Sequence, residues 1–183
     1  TESYISLRRL ENDALRYQTN QITMGDYANP IQVSIHQFYG IEINDFAATV
    51  AKTALWIAES QMLKETEDII AQQIDFLPLK SYANITEGNA LRLDWEDVVP
   101  KEKLDYIMGN PPFVGARLMD ASQKSDVNLI FEGWKNVGNL DYVCCWYKKA
   151  ADLMQGTEIR SALVSTNSVS QGESVANLWK PLF

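Results

Sequence analysis

The sequence predicts an α/β fold in which helices cover both faces of a mostly parallel sheet. Three observations predict it. Short apolar runs of strand character alternate along the chain with longer stretches of helical period. One run, "LDYIMGN" (Leu104–Asn110), is bounded by lysines and by a proline pair, as a buried parallel strand is. That run stops on Asn110, Pro111, Pro112 and Phe113, where ladder hydrogen bonds cannot continue.

The elements follow in order. "TESYISLRRLENDALRY" places Tyr4, Leu7, Leu10, Ala14 and Tyr17 at helical spacing. Residues 18–33 lose that period and hold Gly25, Asn29 and Pro30, which predicts a loop. "VSIHQFYGIEI" reads as a strand whose apolar end is Phe38–Ile43. Asn44 or Asp45 caps a helix with Phe46, Val50, Ala54, Ile57 and Gln61 on one face. A loop around Pro78 leads to a short strand in "NITEGNALRLDW", and then to the run ending at Asn110. A weak helical stretch lies near Ala121–Trp134. "LDYVCCWYKKAADLM" is helical and closed by Gly156, and "IRSALVSTNSV" is the last strand.

At 183 residues, the length corresponds to one domain with a real core. The 46% hydrophobic and 22% charged content is ordinary for a soluble globular chain, and no apolar run reaches membrane-spanning length. The two cysteines, Cys144 and Cys145, are adjacent inside a helical pattern, which suits a reducing, cytoplasmic compartment. One histidine, His36, and no Cys/His spacing leave no metal site to expect. Its place in "VSIHQF" predicts a solvent-facing position. The net charge of −8 weighs against a nucleic-acid binder judged on charge alone, because phosphate neutralisation needs clustered Lys and Arg.

In open α/β sheets, ligands bind beyond the carboxyl ends of the strands. Three polar residues are predicted at such ends: Glu42, Asn89 and Asn110. A strand-end carboxylate at Glu42 suits two ribose hydroxyls, and equally a solvated residue beside a helix N-terminus. Gly88-Asn89 is also a common turn dipeptide that needs no ligand. Asn-Pro-Pro-Phe is more specific. At a typical Pro usage of about 5%, roughly one chain in three of this length has a proline pair by chance. An Asn before it, an aromatic after it and a strand leading in are not explained that way.

"DYIMGNPPF" resembles the catalytic motif of amino-methylating DNA methyltransferases, above all the adenine-N6 enzymes. "FYGIEINDFAATVAKTALWIAE" is similar to the family's second motif with its helix, "NALRLDW" to its third, and "IRSALVSTNSVSQGE" to the strand beyond the catalytic loop. The resemblance spans nearly the whole chain and comes nearest to large restriction–modification enzymes.

It implies a Rossmann-like, class I methyltransferase sheet truncated at both ends, with S-adenosylmethionine as cofactor and DNA as partner. Glu42 would bind the cofactor's ribose, Ile43 would pack on its adenine, and Asn89, beside Ala90, would accept from the adenine's amino group. The family usually has Asp at the position of Asn89, so that bond would lose its charge assistance. Asn110 and the Pro111 carbonyl would accept from the target amine, Pro112 would stiffen the corner, and Phe113 would stack on a flipped base.

No glycine precedes Gly25, so the glycine-rich cofactor loop is expected upstream. The recognition domain, whose basic surface would answer the charge objection, is expected downstream. A partial catalytic domain over residues 1–183 is the resulting expectation, with strand edges exposed to self-association. Two rival readings stand beside it. One is an amino-group methyltransferase acting on RNA or a protein glutamine. The other is a DNA-recognition or assembly subunit without turnover.

Overall fold

Tyr4, Ile35, Leu55, Ala58, Met62 and Ala83 gather into one apolar cluster because two helices and a strand pair bring them together. The computed structural model describes residues 1–19, 31–71, 74 and 83–183. They divide into two units, Thr1–Asn89 and Ala90–Phe183.

The first unit runs α1 (Glu2–Thr19), β1 (Tyr39–Glu42), α2 (Asp45–Ile70) and β2 (Asn84–Glu87). β1 and β2 are parallel, with Tyr39 opposite Asn84 and Glu42 opposite Glu87. Asn44 is the cap of α2: its side-chain oxygen accepts from Ala47 N at 2.9 Å.

The predicted strand begins later than its alternation suggests. Gln37 Oε1 accepts from Ser34 N at 2.9 Å, and Ser34 Oγ accepts from His36 N at 3.3 Å. This capping box turns Ile35–Gln37 into a helical turn, with His36 exposed, so extended pairing starts at Tyr39 and ends before Ile43. The predicted loops at 18–33 and around Pro78 fall largely on residues 20–30 and 75–82, outside the described residues; residues 18 and 19 continue α1.

Both predicted helix faces are corrected. On α1, Leu7 is 45% exposed, Leu10 66% and Tyr17 78%, whereas Tyr4, Arg8, Asn12 and Leu15 are buried. The buried polar residues are bonded to α2 and within α1. Arg8 Nη2 donates to Thr66 Oγ1 at 2.6 Å, Thr66 Oγ1 donates to Asn12 Oδ1 at 2.7 Å, and Arg8 pairs with Glu11 of α1. These bonds offset part of the cost of burying the stripe, although Arg8 Nε has no partner among the described residues. On α2, Phe46, Val50 and Ile57 face solvent, and Ala48, Leu55, Ala58 and Met62 face the core. The helix carries two apolar stripes, and period alone cannot say which meets the sheet.

The second unit runs α3 (Trp95–Val98), β3 (Tyr106–Gly109), α4 (Ala121–Ile130), α5 (Cys144–Met154), β4 (Arg160–Leu163) and α6 (Lys180–Leu182). A π-helical turn, Val175–Trp179, leads into α6. β3 and β4 are parallel, from Tyr106 opposite Arg160 to Gly109 opposite Leu163. α4 and α5 supply the long crossover that a parallel pair requires. Gly156 at φ +72° ends the α5 region in the left-handed conformation expected of it.

The strand predicted over "NITEGNALRLDW" is confined to Asn84–Glu87; from Gly88 the chain turns, and Asp94 caps α3 through Glu96 N at 2.9 Å. β3 is open on one face rather than buried on both, with Tyr106 63% and Met108 61% exposed. The described strands thus form two parallel pairs, β1–β2 and β3–β4. Among the described residues no helix is long and apolar enough to cross a membrane.

Cys144 and Cys145 are fully buried free thiols in the core of the second unit. Burial pushes Cys144 from its ordinary 9.0 up to about 12, and raises Cys145 as well. Burial also lifts Tyr4 from 10.0 to about 12. These groups keep their protons when folded and lose them when unfolded, so their stabilisation is complete below about pH 9 and is lost as pH rises towards about 12. Lys149, held below its ordinary value by burial, acts with the opposite sign. Urea midpoints are expected to fall between about pH 8 and about pH 11, and both thiols to resist Ellman's reagent until the chain unfolds. Rapid thiol reaction in the folded protein contradicts this burial.

Candidate functional site

The β3–β4 ladder extends to its carboxyl end, where Val164 N donates to Gly109 O at 2.9 Å. It can go no further on the β3 side once Pro111 and Pro112 follow, since neither has an N–H. A Cβ on Gly109 would lie 3.3 Å from Leu163 Cδ2, so the bare glycine lets the Leu163 side chain of the neighbouring strand close in. Pro111 is buried and anchors the corner, whereas Asn110, Pro112 and Phe113 are exposed. Phe113 presents its ring with 44% of its surface open. The loop is fastened behind the corner by Tyr142 N, which donates to Val114 O at 2.9 Å. On β4, the Tyr147 hydroxyl lies 3.1 Å from both Leu163 O and Ser165 Oγ. The result is a stiff corner carrying an amide and an aromatic ring on its open side.

In the first unit, Glu42 is the half-buried last residue of β1. Its Oε1 accepts from Asn44 N at 3.0 Å, which fixes the carboxylate beside the start of α2. Its backbone oxygen accepts from Gly88 N at 2.9 Å, carrying the pairing one step past β2 and bringing Asn89 to the same strand end. Gly88 adopts φ +153°, a region open to glycine and barred to most side chains. Ile43 stands 69% exposed beside Glu42, and Asn89 is half-buried.

The sequence-predicted residues therefore fall into two groups. Glu42, Ile43 and Asn89 share a strand end in the first unit; Ala90 and Asn110 to Phe113 belong to the second. Ala90 opens a turn closed by Trp95, whose Nε1 donates to Ala90 O at 2.8 Å.

Sequence reasoning missed the residues that fasten this turn. Asp126, 1% exposed on α4, accepts from Arg92 Nε at 2.7 Å through Oδ1 and from the Tyr142 hydroxyl at 2.7 Å through Oδ2. Lys149 of α5 donates to Leu91 O at 3.2 Å and to Leu93 O, with its ammonium 5.6 Å from the Trp95 ring centroid. Among the described residues no cluster of His, Cys, Asp or Glu is placed to hold a metal ion. A cleft lined by Glu96, Lys101, Glu102 and Glu158 opens at the amino ends of β3 and β4, away from the corner.

Parallel strands joined by crossover helices, with polar residues collected at their carboxyl ends, define a domain class that meets its ligand at those ends. The chain belongs to the MmeI DNA-methyltransferase domain family, whose model matches residues 1–183. It is 40% identical to DNA methyltransferase A of Bacillus subtilis (strain 168) over 184 residues, covering 99% of this chain and 21% of that protein. It is similar to the solved structure of the Type IIL restriction-modification enzyme MmeI in complex with DNA. That match has a TM-score of 0.89 and 41% identity, and it covers 98% of this chain and 24% of MmeI. The chain thus spans about a fifth to a quarter of the length of these relatives.

Proposed function

We propose that the full-length protein containing this domain transfers a methyl group from S-adenosylmethionine to N6 of a flipped adenine in DNA, as part of a restriction–modification or related defence system. One observation carries the reading: a strand ladder ends in a proline-locked corner that holds Asn110 and Phe113 towards solvent on a buried Pro111 anchor. In this reading each parallel strand pair is a piece of a Rossmann-like, class I methyltransferase fold.

The strand end of the first unit fits the cofactor. Glu42 spends Oε1 on Asn44 N and, as a carboxylate, retains acceptor capacity for ribose hydroxyls. Exposed Ile43 offers an apolar surface to the adenine ring, and Asn89 and Ala90 line its amino edge. When bound, S-adenosylmethionine supplies the electrophilic methyl group.

This chain's own residues prepare the nucleophile. The lone pair of an adenine amine is delocalised into its ring. Asn110 Oδ1 and the Pro111 carbonyl accept its two N–H bonds, draw the nitrogen towards tetrahedral geometry and aim the lone pair at the methyl carbon. In that step the new N–C bond would replace the cofactor's C–S bond, and the amine would release one proton to water. Pro111 and Pro112 keep the acceptors from drifting, and Phe113 stacks on the extruded base.

The MmeI structure is a complex with DNA, which supports DNA as partner. With a net charge of −8, this domain is assigned base capture and chemistry, and phosphate binding is assigned to the rest of the protein. The test is transfer of tritiated methyl from S-adenosylmethionine, with unmethylated DNA, RNA and protein offered in parallel. Label in DNA alone is expected. Label in RNA or protein supports the rival amino-group methyltransferase, and no label in any of them supports a non-catalytic subunit.

A further inference from the structure

Between the turn that begins at Ala90 and the corner that ends at Phe113 lies a buried carboxylate with two partners. Asp126 Oδ1 holds Arg92, two residues beyond Ala90, and Asp126 Oδ2 holds the Tyr142 hydroxyl. The backbone N–H of that same Tyr142 donates to Val114 O, the residue after Phe113. A continuous path therefore runs from Ala90–Arg92 through Asp126 to Tyr142 and on to the corner, with every distance between 2.7 and 2.9 Å. All of it lies within the second unit.

The placement is costly unless it does something for its partners. Asp126 is 1% exposed, Tyr142 is 5% exposed, and Arg92 keeps half of its side chain in solvent. A carboxylate buried among apolar residues loses its hydration, and only charge-assisted bonds of good geometry compensate. α4 could have been fixed to α5 by apolar packing alone, as Val127 and Phe131 already show in the same cluster. The arms of Asp126 instead reach the turn at Arg92 and Tyr142, the residue whose backbone N–H holds Val114 O.

We propose that Asp126 is a positioning residue for methyl transfer, holding the cofactor-side turn through Arg92 and the base-side corner through Tyr142. This assignment rests on the proposed function above, because it gives the two loops their ligands. Each arm has its own signature. Loss of the Arg92 arm frees the Ala90 turn and weakens cofactor binding. Loss of the Tyr142 hydroxyl loosens the residue whose N–H holds Val114 O, so the acceptors at Asn110 and Pro111 lose their aim and the chemical step slows.

The test uses the full-length protein with S-adenosylmethionine and unmethylated genomic DNA, and separates KM for the cofactor from kcat. Arg92→Gln is expected to raise the cofactor KM about tenfold with kcat retained, as loss of a charge-assisted bond predicts. Tyr142→Phe is expected to lower kcat about tenfold to a hundredfold with that KM retained, as misaligned reacting groups do. Asp126→Ala should show both effects, and Asp126→Asn should recover part of each. A purely structural role predicts another pattern: apparent kcat falls with the folded fraction in every variant, and KM stays at the wild-type value. That pattern, or wild-type constants in both single-arm variants, overturns the proposal. If Asp126→Ala does not fold, the Arg92 and Tyr142 variants still decide the matter. Asn110→Ala run alongside separates the two levels. An inactive Asn110 variant with unaltered arm variants sinks only the positioning role. An Asn110 variant as active as wild type sinks the reading of the site and this proposal with it.

Discussion

Asn110→Ala in the full-length protein is expected to reduce methyl transfer by at least about a hundredfold, to the limit of detection, while cofactor and DNA affinity stay near wild type. In the proposed mechanism the Asn110 amide acts late in the reaction. A ground-state amine is nearly planar and gains little from a second acceptor. The nitrogen needs Asn110 Oδ1 as it becomes tetrahedral and its N–H bonds gain positive charge. An interaction made mainly in the transition state lowers kcat and kcat/KM together when removed. The substitution carries little structural risk, because Asn110 is exposed and the corner is anchored by buried Pro111 and by the pairing of Gly109 with Val164. Single-turnover assays with tritiated cofactor give the rate of the chemical step directly. Phe113→Ala belongs to a different class: it removes a stacking platform contributing about 1–3 kcal/mol, so capture of the base weakens more than turnover of captured base.

Glu42→Ala is expected to raise the cofactor dissociation constant by about tenfold to a hundredfold, the equivalent of about 1.5–3 kcal/mol for hydrogen bonds to a charged group, without altering DNA affinity. Glu42 is half-buried at the end of β1, and one of its oxygens already serves Asn44 N. A second expectation follows from that bond. Removing the carboxylate leaves the start of α2 without its acceptor there, so a small loss of thermal stability should accompany the binding defect. Glu42→Gln restores an acceptor for Asn44 N without the charge, so it should recover stability more than affinity. Calorimetry showing unchanged cofactor binding in Glu42→Ala returns this residue to the role of helix-dipole partner.

The parts of this molecule legible in its sequence are those decided locally. Asn44 caps α2 because capping needs only residues three apart. The proline pair ends β3 because a missing N–H acts on the spot, and α5 shows in the helical period around the cysteine pair. Longer-range choices were not legible. The apolar stripe Phe46, Val50 and Ile57 has the pattern of a core face, but the competing stripe through Leu55, Ala58 and Met62 packs with Tyr4 of α1, Ile35, and Ile85 of β2, a choice made by tertiary packing. α1 buries Arg8 and Asn12 where Thr66, more than fifty residues away in the chain, bonds both. "VSIHQF" alternates like a strand, and the Ser34–Gln37 box overrides that alternation with two short bonds.

The placement of the proposed site residues divides in the same way. Glu42, Asn89 and Asn110 are readable as residues at or just beyond predicted strand ends, and an α/β topology gives strand ends a meaning. Asp126 sits in "ASQKSDVNLI", a helix of weak period, where a carboxylate normally faces water. Its partners are 34 and 16 residues away, and only folding brings them within 2.7 Å.

The most direct test of adenine-N6 methylation is the identity of the methylated nucleoside. DNA from a host lacking the enzyme is incubated with the full-length protein and S-adenosylmethionine, digested to nucleosides, and resolved by mass spectrometry. N6-methyldeoxyadenosine is expected with wild type and none with Asn110→Ala. N4-methyldeoxycytidine as the product, or undiminished N6-methyldeoxyadenosine from the Asn110 variant, would contradict the proposed adenine-N6 methylation.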